Sequence, residues 1–127
     1  KSFNKFYDVR EFADQKLINF SRELKIDIAI DLSGYTRGSR SDIFQHRVAP
    51  IQINYLGYPG TMGDQMDYII ADHNLIPPNS REFYFEKIIY MPDCYQINDY
   101  DQKVSSKNYK RSDCGLPEKS FVFASLS

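Results

Sequence analysis

Few residues of this chain have the type and spacing to do chemistry. His46 and His73 are its two histidines, and each has a carboxylate close along the chain, Asp42 and Asp72. A His–Asp pair can move a proton at neutral pH. Asp72-His73 also falls at the end of an apolar run, the place where open α/β sheets put their ligands. The plainer reading is a histidine that is solvated or bonded to backbone, and neither has the spacing of a metal cluster. Cys94 and Cys114 carry no metal-ligand spacing and read as reduced thiols of a cytoplasmic protein. Dinucleotide, Walker and nucleophile-elbow patterns are missing. What remains are two glycine-bearing stretches, "SGYT" at Ser33–Thr36 and "YLGYPGTMG" at Tyr55–Gly63.

In the second stretch Gly57, Gly60 and Gly63 permit backbone angles and close approaches that other residues forbid, and Pro59 stiffens the turn. Exposed N–H groups at Gly60 and Thr61 would suit an anion or a carbonyl. A structural turn and a binding loop both satisfy this pattern. The first stretch, with Gly34, Tyr35 and Thr36, is the loop chemistry expected after a parallel strand.

The elements that must position these loops alternate. From Asp8 to Leu24 the apolar residues Val9, Phe12, Ala13, Leu17, Phe20 and Leu24 recur every three or four positions, which predicts an amphipathic helix. "IDIAIDL", Ile26–Leu32, is short and β-branched, a strand. "RSDIFQHR" predicts a short helix capped by Ser39 or Ser41. "VAPIQINYL" enters a second strand with Pro50 at its start, and Met66–Asp72 is a third. "HNLIPPNSREFYFEK" supplies a loop and a helix capped by Asn79 or Ser80, and "KIIYMP" a fourth strand. Asp93–Asp113 is polar and without period, a long loop or linker. Phe121–Leu126 reads as a last apolar strand. A chain that stops on a buried strand is expected to be a truncated piece of a larger protein. The sum is α/β, a Rossmann-like open parallel sheet with flanking helices.

Composition narrows the partners. With 42% hydrophobic and 26% charged residues, the chain of 127 residues reads as one soluble globular domain. A formal net charge of -1 gives no electrostatic reason to expect nucleic acid or an anionic membrane. No apolar run approaches a membrane span, and the first residues lack the apolar core of a signal peptide. The 10 Tyr, many in polar surroundings, suit cleft walls and interfaces, or simply pack at strand edges.

The ordered set "DIAIDLSGYT", "RVAPIQ", "LGYPGTMG", "MDYIIAD" and "EKIIYMPDCY" resembles the catalytic region of the O-GlcNAc transferase and SPINDLY family over Asp27 to Tyr95. The tail "GLPEKSFVFASLS" resembles that family's entry into its second domain, with Leu126-Ser127 where the family has Phe-Asn. The resemblance implies part of a GT-B glycosyltransferase: residues 1–95 from the N-terminal Rossmann-like domain, 96–114 a linker or long loop, 115–127 the start of the second domain. It implies an inverting transfer of a sugar to Ser or Thr of proteins, with GlcNAc from UDP-GlcNAc as the first expectation. A fucosyl- or glucosyltransferase of the same fold, or a non-catalytic protein-binding module, are the alternatives. No metal or other cofactor is implied, and tetratricopeptide repeats are expected upstream. By the same resemblance, Gly57, Tyr58, Pro59, Gly60 and Thr61 border the cleft near the acceptor, and Gly34, Tyr35 and Thr36 form a second wall element. The family's catalytic histidines fall before Lys1 and its main nucleotide contacts after Ser127. The chain alone is therefore expected to be inactive.

Overall fold

The structure, a computed structural model, describes residues 3–99, 101, 103 and 105–125. The chain divides into two compact units, Lys1–Ile97 and Asn98–Ser127. The first holds one α-helix, α1 (Asp14–Glu23), and four strands, β1 (Ile28–Asp31), β2 (Ile51–Asn54), β3 (Tyr68–Ala71) and β4 (Lys87–Tyr90). All three strand pairings are parallel and the spatial order is β1-β2-β3-β4.

The α-helix is shorter than the apolar spacing predicts. It starts at Asp14, whose carboxylate suits the first turn. Val9 and Phe12 precede it because the Arg40 guanidinium takes the Val9 and Phe12 carbonyls and the Asp14 carboxylate at 3.1, 2.7 and 2.5 Å. That clamp holds the segment out of the helix, while Phe12 and Tyr7 pack edge-on against Phe20. Lys25, at φ 52, turns the chain sharply into β1.

The two predicted later helices are 3₁₀ turns, Ser41–His46 and Pro78–Phe83. Their N-caps are Arg40 and Pro77, without side-chain caps, so the expected Ser39, Ser41, Asn79 and Ser80 caps do not form. Neither stretch has an apolar stripe long enough to reward an α-helical nucleus.

One sheet face carries the core. Ile18, Phe44, Val48, Met62 and Met66 form one cluster, with Ala29 and Tyr58 packed on it. Ile69, Ala71 and Ile76 form a second, with Leu75, Tyr84 and Ile88. The register sets Ile28 beside Ile51 and Ile30 beside Ile53 on the opposite face. There Ile28 and Ile30 are each 49% exposed.

In the second unit a 3₁₀ turn, Arg111–Cys114, closes through Gly115 at φ 66. The Arg111 guanidinium reaches the carbonyls of Pro117 and Ser120 at 3.0 and 2.6 Å. The predicted strand at Phe121–Leu126 is not found: residues 121–125 pair with no strand, and Leu126 lies outside the described residues. Phe121 and Phe123 are 82% and 91% exposed, their rings edge-on with centroids 4.8 Å apart.

Candidate functional site

The site is assembled where β1 and β2 end. Asp31 and Asn54 are register partners at those ends, and the ladder continues one step through the Tyr55 N–H to the Asp31 carbonyl at 2.9 Å. Beyond it, the two loops cross in contact. A Cβ on Gly57 would sit 2.1 Å from the Leu32 carbonyl oxygen, and a Cβ on Gly34 would sit 2.2 Å from the Tyr58 Cβ. Gly34 also holds φ +55, which disfavours any side chain. Gly57 is thus needed because two backbones touch, and Gly34 because the Tyr58 side chain lies against it.

Tyr58 fills the space between them. Its ring meets Tyr35 edge-on at 5.4 Å between centroids and leaves Gly60 no room for a side chain without moving. The Tyr35 hydroxyl donates to the Met62 carbonyl and accepts from Gln65 Nε2, both at 3.1 Å. Gly34, Tyr35, Tyr58 and Gly60 therefore form one cluster. Thr36 stands outside it, its carbonyl taken by the Ser39 N–H at 3.1 Å.

The loop is held from below by polar side chains that the sequence reading did not single out. Asn54 Nδ2 donates to the carbonyls of Tyr58 and Gly60 at 3.0 and 2.9 Å. The Tyr84 hydroxyl donates to the Pro59 carbonyl at 3.1 Å. Glu86, 1% exposed, accepts from the Thr61 hydroxyl at 2.7 Å and from the Met62 N–H at 2.6 Å. Burial, and then the charges of Glu86 and Tyr58, push the Tyr84 phenol up. Thr61 thus turns its hydroxyl inward. The N–H groups of Gly60 and Thr61 donate to no acceptor among the described residues.

Neither histidine forms a catalytic pair. The Asp72 carboxylate is spent on the N–H groups of Asn74, Leu75 and Tyr95 at 2.9, 2.8 and 2.8 Å. Those bonds, the Tyr95 one first, hold its carboxyl below the usual range. His73 stacks on Tyr90 instead, centroids 4.1 Å apart. The Tyr55 hydroxyl donates to the Tyr95 carbonyl at 2.9 Å, so Tyr95 ties this edge of the sheet together. His46 offers its carbonyl to Arg22. Cys94 and Cys114 are exposed and free of disulfides. Among the described residues no group of His, Cys, Asp and Glu could hold a metal ion, and no helix is long and apolar enough to cross a membrane. A cleft of about 410 Å³ lies at the opposite, amino end of β1 and β2. Its Arg22 and Arg47 are occupied by backbone carbonyls and Asp67, so it is a structural junction.

The profile of glycosyl transferase family 41 matches residues 4–119. The chain belongs to glycosyl transferase family 41. Among its relatives is the probable UDP-N-acetylglucosamine–peptide N-acetylglucosaminyltransferase SEC of Arabidopsis thaliana, 41% identical over 94% of this chain and 13% of that protein. The probable enzyme SPINDLY of the same plant is 34% identical over 69% of this chain and 10% of its own length. A mutant O-GlcNAc transferase of Thermobaculum terrenum superposes with a TM-score of 0.69 and 34% identity, over 72% of this chain and 18% of that one. This family 41 chain thus spans about an eighth of the SEC relative, which is 13% of its length. The expected family and the α/β, GT-B-type parallel sheet are both borne out.

Proposed function

We propose that this chain forms one wall of the active cleft of a protein O-glycosyltransferase that moves GlcNAc from UDP-GlcNAc to Ser or Thr hydroxyls with inversion. The observation that carries the reading is the interlocked pair of loops at Gly34–Tyr35 and Gly57–Thr61. They stand at the carboxyl edge of a parallel sheet, with the N–H groups of Gly60 and Thr61 meeting no acceptor among the described residues. The choice of donor is supported by the SEC and SPINDLY relatives, both named as probable UDP-N-acetylglucosamine–peptide N-acetylglucosaminyltransferases.

Inverting transfer needs an acceptor hydroxyl held in line with the anomeric carbon while the diphosphate leaves from the opposite face. A backbone pinned by Asn54, Tyr84 and Glu86 serves that need, since fixed donors cost no reorganisation when charge moves. The base that takes the acceptor proton and the groups that neutralise the diphosphate belong to segments outside residues 1–127 in this reading. So do tetratricopeptide repeats that present the acceptor. The isolated chain then transfers nothing, and the whole protein works in the cytoplasm.

The test offers the full-length protein UDP-GlcNAc, UDP-glucose and GDP-fucose with a Ser/Thr-rich peptide, and repeats the assay with Gly60→Val. Transfer from UDP-GlcNAc that falls at least tenfold in the folded variant is expected. Transfer from GDP-fucose or UDP-glucose alone replaces the donor. Absence of transfer from every donor leaves a protein-binding module as the better account.

A further inference from the structure

Beneath the site two buried side-chain oxygens have no hydrogen-bond partner among the described residues. They are Asp31 Oδ2 and Asn54 Oδ1. Their residues are register partners at the ends of β1 and β2, so both side chains leave the same sheet face about one strand spacing apart. Asp31 is 8% exposed and Asn54 0%. Their remaining polar atoms are accounted for. Asp31 Oδ1 accepts the Ser33 N–H at 2.9 Å, and Asn54 Nδ2 gives both hydrogens to the Tyr58 and Gly60 carbonyls.

Turning the Asn54 amide over does not solve the problem. Its Nδ2 would then leave the Tyr58 and Gly60 carbonyls and Oδ1 would face them, exchanging two unmet acceptors for three mutually repelling ones. Buried acceptors are almost always paired, with protein or with ordered water. A small group with two donors would satisfy both oxygens, and water has that inventory.

We propose that one ordered water is bound between β1 and β2, donating one hydrogen to Asp31 Oδ2 and the other to Asn54 Oδ1. The bridge has a consequence for the loop above it. It satisfies Asn54 in the orientation that clamps Tyr58 and Gly60. Asp31, which contacts neither residue by hydrogen bond, thereby becomes a positioning residue for that loop. The water site stands or falls independently of the transferase reading.

The test is a crystal structure of the full-length protein at a resolution that places waters, alone and with Asp31→Leu. A single isolated peak at about 2.6–3.2 Å from both oxygens is expected in the wild type. In Asp31→Leu that peak disappears and the Tyr58–Gly60 backbone shifts or loses definition. Direct contact between the two oxygens, a donor from another part of the protein filling the gap, or an Asn54 amide turned toward Asp31 would overturn the bridge. So would a peak that persists unmoved in Asp31→Leu. If that variant does not fold, the wild-type map alone decides.

Discussion

At the scale of single residues, the three glycines of the crossing loops are not equivalent. Gly57 faces a backbone oxygen that cannot move without shifting β1, whereas Gly60 faces the far end of the Tyr58 ring. Gly57→Ala should therefore destabilise the protein by about 1–3 kcal/mol, the usual range for forced overpacking, and Gly60→Ala by clearly less. Thermal melts of both variants check the order. Equal losses would mean that the Tyr58 ring is as immobile as backbone. Glu86 offers a second residue-scale prediction. Both carboxylate oxygens accept a hydrogen bond, so Glu86→Leu removes both acceptors and leaves the buried Met62 N–H without one. A loss of about 1–3 kcal/mol follows, as for a buried group left unpaired. An unchanged denaturation midpoint would show that the loop does not depend on this anchor.

Asp72 makes a pH-dependent prediction. Its folded carboxyl sits below the ordinary value of 3.8, chiefly through the Tyr95 N–H. A depressed folded value means that the unfolded chain binds the proton more readily as pH falls. Its contribution is complete above 3.8 and is lost as the pH drops through and below that value. The stability gap between wild type and Asp72→Ala should be present at about pH 7 and close in acid. A gap that stays constant into acid would assign the loss to packing.

At the scale of elements, the four strands were legible because β-branched runs between turn residues have one economical conformation. The glycine loops were legible as loops for the same reason. Which groups hold them was not. Asn54, Gln52 and Glu86 are polar residues inside apolar stretches, and only the parallel register shows that they face the core and not water. For Gln52 and Asn54 the alternation "IQIN" pointed the other way, since a half-buried strand with that pattern would carry its isoleucines inward. The start of α1 was misread because the Arg40 clamp comes from a residue distant in sequence. The apolar run at 121–125 was misread because local propensity cannot supply a neighbouring strand. Amide exchange across residues 121–125 should be fast, since they make no ladder. Slow exchange there would mean that a strand partner exists.

At the scale of the whole molecule, the two sheet faces differ. A parallel sheet is normally covered on both sides, yet Ile28 and Ile30 are each half exposed while the other face is packed with α1 and its cluster. The relatives are several times longer, this chain matching 13% of one and 10% of another. Further chain lying over that face in the full-length protein would give the isoleucines their expected environment. Ile30→Ser separates the cases. Full burial of an isoleucine side chain is worth about 1.5–3 kcal/mol, so the full-length protein should lose about that much. Residues 1–127 alone should lose little stability and bind less of a hydrophobic dye, because the substitution removes exposed apolar surface. Equal, small losses in both would mean that the face stays open in the intact protein and is a contact surface in its own right.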